Sequence, residues 1–145
     1  MEIGIHDNIR EQFALNEIDP LRYSPLALAF IGDSVFDLVV KTVLVEKANC
    51  PANVLHRKTS KLVKAQSQAV MVRSFLDNDI LTDEEIAVYK RGRNAKSPTT
   101  AKNASVSEYR MATGLEALIG YLYLCGRNGR LVGLVKAGIS VITEL

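Results

Sequence analysis

The chain has 145 residues, 48% of them hydrophobic and 23% charged, with a net charge of +2. That balance suits a single globular domain over residues 1–145 with a real core, and it excludes a disordered or low-complexity chain. The start, "MEIGIHDNIREQ", is no secretory signal, and apolar runs broken by Asp33, Lys41 or Glu116 fall short of the roughly 20 residues of a membrane span, so a cytoplasmic location with no membrane partner is expected.

Residues 1–20 carry no readable pattern. At "YSPLALAF", Ser24 is a good N-cap and Pro25 suits the first helical position, where its missing N–H costs nothing. The helical spacing then runs to about Ala48. "CPANVLHRKTSKLVKAQSQAVMVRSFLD" reads as one helix, with an apolar stripe of Leu55, Leu62, Ala65, Ala69, Val72 and Leu76. Arg57, Lys61, Lys64 and Gln68 form a second, polar stripe on it. "LTDEEIAVYKRG" offers a capping box, Thr82 with Glu85, and Gly92 as the stop. Residues 92–105 read as a long basic loop between helices, and long connections of this kind are often functional. "SVSEYRMATGLEALIGYLYLCG" opens on a second box, Ser105 with Glu108, and ends at Gly126. Asn128 caps a last helix to about Thr143. The fold class is therefore all-α, with about five substantial helices. Cys50 and Cys125 are too few for a disulfide framework or a zinc site and read as reduced core cysteines.

The small net charge hides an asymmetry. Residues 47–76 hold six basic residues and no acid, and residues 86–107 hold five and no acid, so eleven of the eighteen basic residues lie in two acid-free tracts. Such tracts favour a polyanionic partner.

Two carboxylates stand out against their surroundings. On a helical wheel, Leu26, Ala29, Phe30, Phe36, Val40 and Leu44 fall within about 60° of Asp33, with Asp37 one turn on. Tyr109, Ala112, Thr113, Ile119, Gly120 and Tyr123 share the face of Glu116, and Gly120 would let another backbone come close. A buried, unpaired carboxylate is costly, so each acid must be protonated, paired or bound to a cation. Two such acids on separate helices point to one shared site for a hard cation such as Mg²⁺. The competing explanation is a pair of ordinary buried salt bridges, and Asp37 suits a rim or salt-bridge role.

These residues resemble a known family. "LAFIGDSV" is similar to the ribonuclease III signature, and "EALIGYLYL" to its second motif. "KRGRNAKS" at 90–97, "LALAFIGD" and "YRMATGLEALIGYLYL" look like the short form, Mini-ribonuclease III, which lacks the double-stranded-RNA-binding domain. The resemblance covers about residues 24–125. It implies the ribonuclease III endonuclease-domain helical fold, with Asp33 and Glu116 as catalytic and metal-holding residues. It also implies Mg²⁺ as cofactor, with Mn²⁺ as a substitute, and a homodimer cutting one strand with each subunit. The implied substrate is double-stranded RNA, in the form of precursor large-subunit ribosomal RNA; assistance by a ribosomal protein stays open. The larger family has acids where this chain has Ala29 and Thr113, and Mini-ribonuclease III is similar in lacking them.

Phosphodiester hydrolysis needs a nucleophile at neutral pH and relief of developing charge, both of which a divalent cation supplies. Arg57, Lys61 and Lys64 on the helix, and Arg91, Arg93 and Lys96 after it, suit contacts to RNA phosphates, though a solvated basic face would look the same. His56 reads as an ordinary surface histidine. Two other classes stay in view: a non-catalytic ribonuclease III-like RNA-binding protein of ribosome assembly, and a helical protein-interaction domain. The retained Asp33 and Glu116 weigh against the first, and the two basic tracts against the second.

Overall fold

The computed structural model describes residues 2–96 and 104–145. Among these residues the chain forms seven α-helices and a short 3-10 turn at Pro20–Arg22, with no strand. No helix among them is long and apolar enough to cross a membrane.

Two long helices form the centre. α2, Pro25–Lys47, begins as its sequence predicts: Ser24 Oγ accepts from the Ala27 N–H at 3.1 Å, and Pro25 is the first helical residue. α6, Val106–Leu124, opens on the Ser105–Glu108 capping box, with both reciprocal bonds made. It closes at Gly126, whose φ of +74° favours glycine. From Ala112 to Leu122 every residue of α6 is buried except Glu116, which is half-buried. The other helices pack around this spine, with Phe36, Val40, Phe75, Tyr89, Leu118, Leu122 and Leu134 among the core side chains.

The two central helices touch backbone to backbone. A Cβ on Gly32 of α2 would stand 1.7 Å from the Glu116 carbonyl oxygen, and one on Gly120 of α6 would stand 2.0 Å from that of Leu28. Only two glycines, one from each side, permit that approach. The close contact expected at Gly120 is therefore present, and Gly32 is its counterpart.

Between α2 and α6 in sequence lie α3, Ala52–Val63, α4, Ala65–Asp77, and α5, Asp83–Asn94. The single helix expected over 51–77 is two helices. Lys64 breaks it with an extended ψ of 154°, and Ser67 Oγ donates to the Lys61 carbonyl across the corner. Leu76, assigned to the apolar stripe, is 38% exposed. α5 starts at the expected Thr82–Glu85 box, but Gly92 does not stop it. The helix runs on to Asn94, and Gly92 is buried where a Cβ would meet that of Ala117 at 2.7 Å. The basic loop predicted from residue 92 thus begins later, and its stretch 97–103 lies outside the described residues.

α7, Asn128–Ile142, completes the bundle, with Arg127 rather than Asn128 in the N-cap position. It is tied to the start of α5 by charge. Arg130 grips the buried Glu85 carboxylate with two bonds of 2.7 and 2.8 Å, which holds that carboxyl below its usual pKa. Glu84 accepts from the Tyr121 hydroxyl and pairs with Arg127 at 3.2 Å. The unread N-terminal segment contains α1, Ile5–Gln12. It docks on the end of α6 through a His6–Tyr123 ring stack at 4.4 Å and an Arg10 bond to the Leu124 carbonyl. Cys50 and Cys125 are both free and half-buried; Cys125 packs against the edge of the core, and Cys50 does not belong to it.

Candidate active site

The glycine crossing decides where the two acids go. Asp33 follows Gly32, and Glu116 supplies the carbonyl that Gly32 touches. Their side chains meet in an open cleft of about 320 Å³ lined by Leu26, Ala29, Phe30, Asp33, Ser34, Tyr109, Thr113 and Glu116. The pair predicted from sequence is thus brought together, although not in the predicted setting. Asp33 is exposed at the cleft, and Phe30 beside it is 82% exposed. The wheel placed Asp33 in mid-stripe because it treats one face as the core. In the fold, the Gly32 side of α2 is pressed on α6, and this turns Asp33 out to the rim.

Glu116 is the more deeply set of the two. Its carboxyl pKa is pushed up to about 9, first by burial, then by a hydrogen bond to Asp33 and by that residue's charge. The Gln68 amide on α4 lies against the same carboxyl and pulls the other way, while Asp37 adds to the rise. Asp37 does not line the cleft; it pairs with Lys41 at 3.7 Å, and its own carboxyl is raised by burial and then by the charge of Asp33. Ala29 and Thr113 both line the cleft. The Thr113 hydroxyl donates to the Tyr109 carbonyl at 3.1 Å. No cluster of three or more metal-ligating side chains occurs among the described residues. The site offers oxygen donors only, two of them carboxylates, and that is the chemistry of a hard cation.

The predicted basic residues lie in four different settings. Arg57 and Lys61 on α3 and Lys64 at the corner are all exposed, and Lys64 stands one turn before Gln68, the neighbour of Glu116. Arg91 donates to the Tyr23 carbonyl at 3.4 Å. Arg93 lies 5.7 Å over the Tyr89 ring and lines a polar hollow of about 250 Å³ with Asn94, Ser107, Arg110 and Met111. Lys96 is exposed. Two residues were missed. Arg110 escapes notice because it stands outside the acid-free tracts, next to Glu108. Gln68 was assigned to the exposed polar stripe, but it is 2% exposed, because the break at Lys64 rotates α4 relative to α3.

Comparison with known proteins identifies the family. The Ribonuclease III domain family matches residues 26–127, more than two thirds of the chain. The chain belongs to the ribonuclease III family. Within that family it sits with the Mini-ribonuclease III proteins. Mini-ribonuclease 3 of Thermoanaerobacter sp. (strain X514) is 48% identical over 124 residues, covering 86% of each chain. Mini-ribonuclease 3 of Clostridium tetani is 43% identical over 135 residues, covering 92% of this chain and 87% of that one. A crystal structure of a Fusobacterium nucleatum protein superimposes with a TM-score of 0.76 at 27% identity, covering 85% of this chain and 98% of that one. The expected all-α ribonuclease III fold is therefore the one adopted.

Proposed function

We propose that this ribonuclease III-family protein is an endoribonuclease that hydrolyses double-stranded RNA with a divalent cation. Its substrate would be precursor large-subunit ribosomal RNA, and it would act as a homodimer in the cytoplasm. The observation that carries this reading is the meeting of Asp33 and Glu116 in an open cleft, from two helices held together by their backbones. The strong upward shift at Glu116 comes first from burial, then from a hydrogen bond to Asp33 and repulsion by its charge. Asp33 and Glu116 would hold a Mg²⁺ ion, which would offset that repulsion, with water and RNA phosphate oxygens as its remaining ligands.

When bound there, the cation supplies a water nucleophile at neutral pH and offsets charge on the phosphoryl group. The chain's own contribution is position. The glycine contact fixes the spacing of the two backbones that carry the carboxylates, and Glu116 is half-buried on the inner side of the cleft. The exposed Arg57, Lys61, Lys64 and Lys96 suit a duplex read by phosphate contacts and shape rather than by base sequence. Phe30, 82% exposed on the edge of the cleft, supports a second copy that covers it.

The decisive test is a gel assay on a long RNA duplex, with and without Mg²⁺, against a single-stranded control and Asp33→Asn. The expected result is cutting of the duplex alone, dependent on Mg²⁺ and abolished in the variant, which still folds and retains RNA. An Asp33→Asn protein that cuts at near the wild-type rate would sink the assignment. Binding without cutting by the wild type would replace it with a non-catalytic RNA-binding role, for which Ala29 and Thr113 are the motive.

A further inference from the structure

Gln68 is a polar side chain in an apolar place. It is 2% exposed and belongs to the set of largest fully buried side chains, between α4 and α6. Its Nε2 is buried and has no hydrogen-bond partner. An amide left in that state is costly, and buried polar groups are otherwise almost always paired. A leucine or methionine would fill the same space without that cost. The amide lies against the Glu116 carboxyl, and Gln68 does not line the cleft that Asp33 and Glu116 share.

Resting on the metal-dependent reading above, we propose that Gln68 is a positioning residue for Glu116, whose amide donates to the carboxylate from behind while the cleft-facing side holds the cation. The orphaned donor then has a purpose. A carboxylate has lone pairs for both a cation and an amide donor, so one Glu116 carboxylate can hold the cation and satisfy Nε2 together. A hydrogen bond of this kind fixes the rotamer of a metal-binding carboxylate, and losing such a partner typically weakens metal affinity about 10–100-fold. Gln68 touches neither RNA nor the reacting atoms, so its effect passes through Glu116 alone.

The test is Gln68→Met, which keeps the length of the side chain and removes the orphaned donor. Mn²⁺ affinity of the RNA-free protein is measured by electron paramagnetic resonance for wild type, Gln68→Met and Asp33→Asn. Melting temperature and duplex retention are measured in EDTA. The expected result is a Mn²⁺ affinity about 10–100-fold weaker in Gln68→Met, with melting temperature equal to or above that of wild type and duplex retention unchanged. An affinity within twofold of wild type overturns the inference. A loss of affinity accompanied by a lower melting temperature or lower duplex retention overturns it too, since that is the pattern of a damaged core. Failure of the underlying reading looks different: wild type itself then takes up no Mn²⁺, or Asp33→Asn takes up as much as wild type.

Discussion

Glu116 links the chemistry of the site to the stability of the fold. In the metal-free protein its carboxyl keeps a proton up to about pH 9, whereas the unfolded chain releases it near the ordinary value of 4.5. Between those values the folded state holds the extra proton, so stability falls as pH rises through this window and levels off above it. Glu116→Gln cannot titrate and removes that slope. Melting temperatures in EDTA from pH 5 to pH 9 should therefore decline more steeply for wild type than for the variant. Asp37, also raised, is present in both proteins and contributes in the same direction to each. Parallel curves would show that Glu116 is ionised throughout. Not all of this could be read in the sequence. The acids stood out because carboxylates are rare within apolar helical spacing. Gln68 did not, because an amide beside Lys64 and Lys61 looks like surface until the chain is seen to turn.

Local signals identified the starts of helices well. Ser24, Thr82 with Glu85, and Ser105 with Glu108 each cap the helix expected of them, because a cap is made by residues three apart and needs nothing from the rest of the fold. The failures concern tertiary packing. Apolar spacing continues through Lys64 without a glycine or proline, so the corner between α3 and α4 left no local trace. Gly92 looked like a stop and is instead a packing contact with α6. The same reasoning yields a prediction for the central crossing. Gly32→Ala places a methyl into the Glu116 carbonyl, and the two helices must part. We expect a loss of about 3 kcal/mol, the upper end for overpacking, in chemical denaturation, together with loss of cleavage. Gly133→Ala is a suitable control, because a Cβ there meets nothing within 4 Å.

Arg57, Lys61 and Lys64 are exposed on and just after α3, and the Phe30 ring is exposed at the cleft. If Arg57, Lys61 and Lys64 each neutralise a phosphate, the slope of log affinity against log salt becomes shallower by about 2–3 when all three are replaced by alanine. Filter binding in EDTA over a range of KCl reads that slope, and an unchanged slope would return these residues to the role of a solvated face. Phe30 addresses the assembly. Phe30→Glu should move the protein from dimer to monomer in sedimentation equilibrium while leaving its helix content intact. A dimer that survives the substitution would place the contact elsewhere.

The crossing at Gly32 and Gly120 has a further consequence. The separation between the two backbones that carry the acids is set where one main chain rests on another, with no side chain between them to compress, rotate or be exchanged. Substitutions elsewhere in the core, such as at Leu118 or Phe75, can therefore loosen the protein without retuning the spacing of those backbones. Heat should reveal this as a catalyst that keeps its full rate until it unfolds, with no gradual decline beforehand. The dimension that matters for the chemistry is built like a mechanical stop, and the residues around it are free to drift.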